Sequence, residues 1–139
     1  MKAILCVRHG GPEALEIRDI PDPVAGKGEV VVKVAAASLN FFDTLIIQNK
    51  YQYKPELPFS PCAEFSGTVD AVGEGVTGFK VGDRVCGSLP TGAAREKILV
   101  PARALIHVPE ALELEKAAGL IITYGTTIHA LKDRAKLKA

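Results

Sequence analysis

Apolar and polar residues alternate over short distances through most of the chain, and Gly, Pro and Asp end each alternating run. Lys2 to Arg8 is a β-rich run closed by His9-Gly10-Gly11-Pro12, and Leu15 to Ile20 alternates until Pro21-Asp22-Pro23 stops it. After a Gly26-Lys27-Gly28 turn, Glu29 to Ala37 places Val30, Val32 and Val34 on one face and Val31 and Lys33 on the other. Thr68 to Val72, Arg84 to Ser88, Glu96 to Val100 and Ala104 to His107 complete a series of short strands, the rhythm of a barrel or sandwich.

Two segments depart from that rhythm. Asn40 is placed to cap a short helix over Phe41 to Gln48, with Asp43 in its first turn where the helix dipole favours a carboxylate. Pro109-Glu110 opens a helical region that leads to a second helix around Thr126 to Lys136. That trailing helix has Ile128 to Leu131 on one side and Lys132, Asp133, Arg134 and Lys136 on the other, and is expected to lead into further structure. The apolar residues of 117–122 and 128–131 are expected to be exposed here.

Gly73, Gly75 and Gly78 spell G-x-G-x-x-G, the fingerprint of a dinucleotide-phosphate loop. Such a loop must open a helix, whose free amides hold the phosphate. Phe79-Lys80-Val81-Gly82-Asp83-Arg84-Val85 follows instead, too rich in turn and β-branched residues for a helix to start. Glu74 would also set a carboxylate beside the phosphate. The segment is read as a glycine-rich connection between two strands.

Composition narrows the partners. The 139 residues suit one domain, and 17 basic against 16 acidic residues leave no field to draw nucleic acid or an anionic membrane surface. The opening Met-Lys-Ala-Ile-Leu-Cys-Val is short for a signal peptide, so the expected location is the cytoplasm. Cys6, Cys62 and Cys86 lie far apart and form no C-x-x-C pair, while His9, His107 and His129 lack metal-ligand spacing. The cysteines are read as small buried apolar residues, and no metal is expected.

Five ordered segments together resemble the medium-chain dehydrogenase/reductase superfamily. They are Gly28-Glu29-Val30-Val31-Val32-Lys33-Val34; Ala37-Ser38-Leu39-Asn40-Phe41-Phe42-Asp43; Pro61-x-x-Glu64-x-x-Gly67-x-Val69-x-x-Val72-Gly73; Gly82-Asp83-Arg84-Val85; and Ala117-Ala118 with Thr123-Tyr124-Gly125-Thr126-Thr127. Within that superfamily the chain is similar to the quinone oxidoreductase, or zeta-crystallin-like, branch. The resemblance implies a mainly β, GroES-like, partly open barrel with a few short helices, over residues 1–125. Residues 126–139 would begin a helix leading toward a Rossmann domain that binds NADPH and is absent from this sequence. It further implies hydride transfer to a quinone or α,β-unsaturated carbonyl, a homodimer in the longer form, and a fragment inactive alone.

The zinc enzymes of the superfamily carry a Cys in the segment of Asn40 and a His just before the glutamate; here those positions are Asn40 and Ala63, which implies a zinc-free enzyme. The resemblance carries Asn40, Asp43 and Tyr51 to the pocket near the nicotinamide, and Thr126 to the same neighbourhood. Asn40 and Thr126 are thus expected to bind the cofactor, and Asp43 and Tyr51 to serve catalysis. A tyrosine frequent in this branch two residues after the Asp is Leu45 here. Each assignment has a plainer rival: Asn40 as a cap, Asp43 as a first-turn carboxylate, Tyr51 as a cover on the barrel mouth with Tyr53 equally able, Thr126 as a helix N-cap. Glu64, Gly67, Asp83 and Arg84 read as structural, the charged ones through turns or ion pairs. Alternatives are an enoyl-thioester or alkenal reductase on the same scaffold, or a non-catalytic GroES-like binding module.

Overall fold

The computed structural model describes residues 1–138. Seven strands form: β1 Lys2–Cys6, β2 Leu15–Asp19, β3 Glu29–Ser38, β4 Glu64–Val72, β5 Arg84–Ser88, β6 Lys97–Pro101 and β7 Leu105–His107. β1 and β2 pair with each other, and the rest make one antiparallel sheet in the order β6-β3-β4-β5-β7. The two outer strands β6 and β7 do not pair, so the barrel is left partly open among the described residues. β1 reaches the larger sheet's loops through bridges from Ala3 to Arg95 and Cys6 to Phe59.

The expected β3 alternation holds only in part. Val30 and Val32 enter the main core with Phe65, Val85, Ile98 and Val100, yet Val31 is also buried. Register shifts between Val31 and Val32 and between Val34 and Ala36 bend the strand, and bulges of this kind let a sheet curl. Each such fully buried side chain contributes on the order of 1.5–3 kcal/mol through removal of apolar surface from water.

β4 begins at Glu64, earlier than the Thr68 start expected, because Phe65, Ser66 and Gly67 pair with both β3 and β5. Gly67 is obligatory there: a Cβ would stand 2.0 Å from the Lys33 carbonyl oxygen. The G-x-G-x-x-G segment is a turn between β4 and β5, with Gly75 and Gly78 at φ 76° and 95°. Gly73 packs directly on backbone, its absent Cβ falling 1.8 Å from the Gly26 carbonyl oxygen. Asp83 closes the turn by accepting from the Lys80 amide and side chain.

Helix α1 spans Phe41–Ile47, and Asn49 ends it at φ 58°, a left-handed stop that asparagine tolerates. Helix α2 is Leu114–Ala117. Beyond it the chain winds through a π-helical turn Leu120–Tyr124, the single α turn α3 at Gly125–Ile128, and a π-helical stretch His129–Arg134. The trailing helix therefore starts before the Thr126 expected from sequence.

Its apolar residues divide. Ala117 and Ala118 are buried, contrary to the expectation of exposure, Ala117 packing with Cys86 and Val108. Arg84 fixes this corner by donating to the carbonyls of Pro109, Glu110 and Leu112, and the Ser66 hydroxyl donates to the Leu114 carbonyl. Leu120, Ile121 and Ile122 are half-buried, whereas Ile128 and Leu131 are exposed as expected.

Candidate functional site

A hollow of about 370 Å3 opens where α1, the start of β4, the end of β5 and the trailing helix converge. Phe42, Tyr51 and Tyr53 form its aromatic side. Ala63, Ser88, Leu89, Pro90 and Ile122 form the rest. The Phe42 and Tyr51 rings stack with centroids 5.6 Å apart and planes 29° from parallel, so Tyr51 is held by a neighbour. A wall of this chemistry accepts the face of a flat, weakly polar ring. It carries no Lys or Arg, and so offers no cation to a phosphate.

Behind that wall lies a chain of buried polar contacts. Asn40 is the N-cap of α1, and the Asp43 carboxylate supplies one arm of a capping box by accepting from the Asn40 backbone amide at 2.8 Å. The other Asp43 oxygen accepts from the Cys62 backbone amide at 3.1 Å. The Asn40 side-chain amide donates to Glu64 Oε1 at 3.0 Å, and Glu64 Oε2 accepts from the Ile122 amide at 2.9 Å. Glu64 is fully buried and Asp43 is 4% exposed. Burial pushes the Asp43 carboxyl upward, its two backbone donors oppose this, and the nearby Glu64 charge adds to the rise.

The expected site residues are thus partly assembled. Tyr51 stands on the hollow, and Tyr53 beside it. Asn40 and Asp43 stand behind the wall, joined to it through Glu64 and Cys62. Thr126 is not a helix N-cap: it lies inside α3, exposed, about one turn beyond Ile122. Among the described residues Glu64 makes neither a turn nor an ion pair but receives two neutral donors from distant segments. That role has no local sequence signal, because the donors lie 24 and 58 residues away.

The three thiols are free and buried. That of Cys62 is pushed up to about 12, first by burial and then by the Asp43 charge, so it stays protonated. Among the described residues no group of three or more His, Cys, Asp and Glu is placed to hold a metal ion. No described helix is long and apolar enough to cross a membrane.

An open GroES-like β-domain with an aromatic-walled hollow at its mouth is the class that fold and site define. The chain belongs to the alcohol dehydrogenase GroES-like domain family, which matches residues 26–110, and stands among the N-terminal domains of the medium-chain dehydrogenase/reductase superfamily. It is 36% identical to the quinone oxidoreductase of Rattus norvegicus over its whole length, and 39% identical to quinone oxidoreductase-like protein 2 homolog of Nematostella vectensis over 99% of it. These alignments span 43% and 38% of the relatives, so the chain covers less than half of either. Among solved structures, a probable oxidoreductase from Mycobacterium abscessus matches all of the chain at 38% identity with a TM-score of 0.95, over 45% of its own length. The Escherichia coli quinone oxidoreductase complexed with NADPH matches 97% of the chain at 31% identity with a TM-score of 0.87, over 41% of its own length.

Proposed function

We propose that this chain is the substrate-facing domain of a zinc-free, NADPH-dependent quinone oxidoreductase. The observation that carries the reading is the hollow itself, in which stacked Phe42 and Tyr51, with Tyr53, face Ala63, Leu89 and Ile122. A nicotinamide ring and a flat acceptor both suit such a wall, whereas the phosphates of a dinucleotide need donors from outside it. The NADPH-bound Escherichia coli relative supports the same cofactor here. When bound, NADPH supplies a hydride to a quinone or enone, and a proton completes the reduced product. Tyr51 carries the hydroxyl on this wall that we assign to the acceptor oxygen, with solvent as the final proton source.

Asn40 and Thr126 are assigned to the cofactor side, Asn40 with its carboxamide oriented by Glu64. Ala63, where the zinc enzymes carry histidine, offers no metal ligand, and the superfamily's zinc-type polarisation of a carbonyl has no donor at that position. Without it, rate must come from position and from the hydrogen bonds around the acceptor.

The test uses the chain extended through its reading frame, assayed for NADPH oxidation with 1,4-naphthoquinone, a 2-alkenal and an enoyl thioester. Faster turnover of the quinone supports the reading. Preference for the enal or thioester moves the assignment to the alkenal or enoyl reductases of the same scaffold, and no turnover of any acceptor refutes it in favour of a binding module.

A further inference from the structure

Cys62 is the anomaly of the site. Its φ is 66°, in the left-handed region that a residue with a Cβ rarely adopts, yet it is 4% exposed and packed into the main core. The carbonyls on either side are already committed to the loop after β5: Pro61 accepts from the Ala94 amide, Cys62 from Ala93 and Ala63 from Leu89. The Cys62 amide points the other way, to Asp43. Residues 61–63 are thus gripped from both sides, and among the described residues the hydrogen bond from the α1 side is to a single carboxylate oxygen.

We propose that Asp43 is a positioning residue, whose carboxylate holds Cys62 in its left-handed conformation and so sets the Ala63 wall of the hollow. Each Asp43 oxygen accepts from a backbone amide, and the residue is 4% exposed and does not line the hollow, so it is not placed to meet a reacting molecule. Ala63 does line the hollow, and the next residue, Glu64, carries the contacts to Asn40 and Ile122. A change of backbone at position 62 therefore moves the wall and the Asn40 carboxamide together. The strained residue sits beside the hollow, where stored backbone strain serves to fix geometry. The inference deepens the reading above and rests on it only for what fills the hollow.

The test is a double-mutant cycle of Asp43→Asn and Cys62→Gly, read by urea unfolding of this chain and by NADPH and naphthoquinone turnover of the extended protein. Asparagine cannot accept from two amides with its two side-chain termini, since one of them is itself a donor. Glycine adopts a positive φ without the cost a Cβ imposes. The expected result is that Asp43→Asn lowers the folding constant by at least tenfold in the Cys62 background and at least fivefold less when position 62 is glycine. Turnover lost in Asp43→Asn is restored at least fivefold by the same glycine. If Asp43→Asn does not fold, recovery of folding in the double variant supports the proposal, and its failure overturns it. Equal losses in both backgrounds, in stability or in turnover, also overturn it. Should the wild type reduce no acceptor, the functional reading fails while the unfolding cycle still decides this one.

Discussion

Replacing Glu64 by Ala and by Gln separates what its charge does from what its shape does. Alanine leaves two buried donors without acceptors, the Asn40 side-chain amide and the Ile122 backbone amide. Each orphaned donor costs about 1–3 kcal/mol. Removing the carboxylate also relieves the penalty of burying a charge that faces only neutral donors, which pulls the net loss toward the low half of that sum, about 3 kcal/mol. Glutamine behaves differently because amides can turn over. Its carbonyl can serve the fixed Ile122 amide while its NH2 group faces Asn40, whose own carboxamide flips to present oxygen. The expected cost is then about 1 kcal/mol, and the first turn of the trailing helix stays tied to β4. The chain has no Trp, so urea unfolding is followed by far-UV circular dichroism, with amide exchange at Ile122 as the local readout. Ile122 should lose protection in Glu64→Ala and keep it in Glu64→Gln. Equal stability of the two variants, or an Ile122 amide protected as in the wild type when residue 64 is alanine, would refute the reasoning.

Gly73→Ala drives a Cβ into the Gly26 carbonyl at 1.8 Å, a clash with backbone that cannot rotate away, and should cost about 2–4 kcal/mol by urea unfolding. Gly75→Ala has φ 76° but nothing within 4 Å, so only the conformational cost of about 1 kcal/mol is expected, and a larger loss at Gly75 than at Gly73 would contradict the close-approach reading. Asp22 bonds Lys97 and the N-terminal ammonium, which hold its carboxyl below the ordinary carboxylate value of 3.8. A depressed folded-state value means its stabilisation is present above 3.8 and lost as the pH falls through the folded value. Asp22→Asn should therefore flatten the stability profile below about pH 4 while leaving its slope near neutrality unchanged.

Much of the fold was legible because the signals were local. Val-rich alternation located β3, turn residues located β5 and β7, and the residues after Gly78 ruled out a helix there, which made the G-x-G-x-x-G segment a turn. The start of the trailing helix was not legible. Leu120-Ile121-Ile122-Thr123-Tyr124 is rich in β-branched and aromatic residues that argue against a helix, and the donor group at Ile122 is satisfied by a carboxylate from β4. Tyr51, singled out by the family resemblance, lies on the hollow, whereas Glu64 was read as a structural residue of a turn or ion pair and is instead fully buried between neutral donors. A glutamate alone in sequence signals solvent, and only the convergence of three distant segments makes its burial tolerable. The left-handed Cys62 lay equally out of reach, since a β-carbon residue gives no hint of positive φ.

The burial of the three thiols has a consequence for chemical durability. Quinones and enones are soft electrophiles that alkylate thiolates, and thiolate content governs that damage. Burial pushes the Cys6 and Cys86 thiols upward, and that of Cys62 to about 12, so near neutral pH each stays protonated as well as shielded. Cys62 sits one residue from the hollow's Ala63 wall, where an arriving electrophile would be most concentrated, and offers it the least reactive form of sulfur. The same packing that builds the wall makes it resistant to the compounds it is proposed to receive.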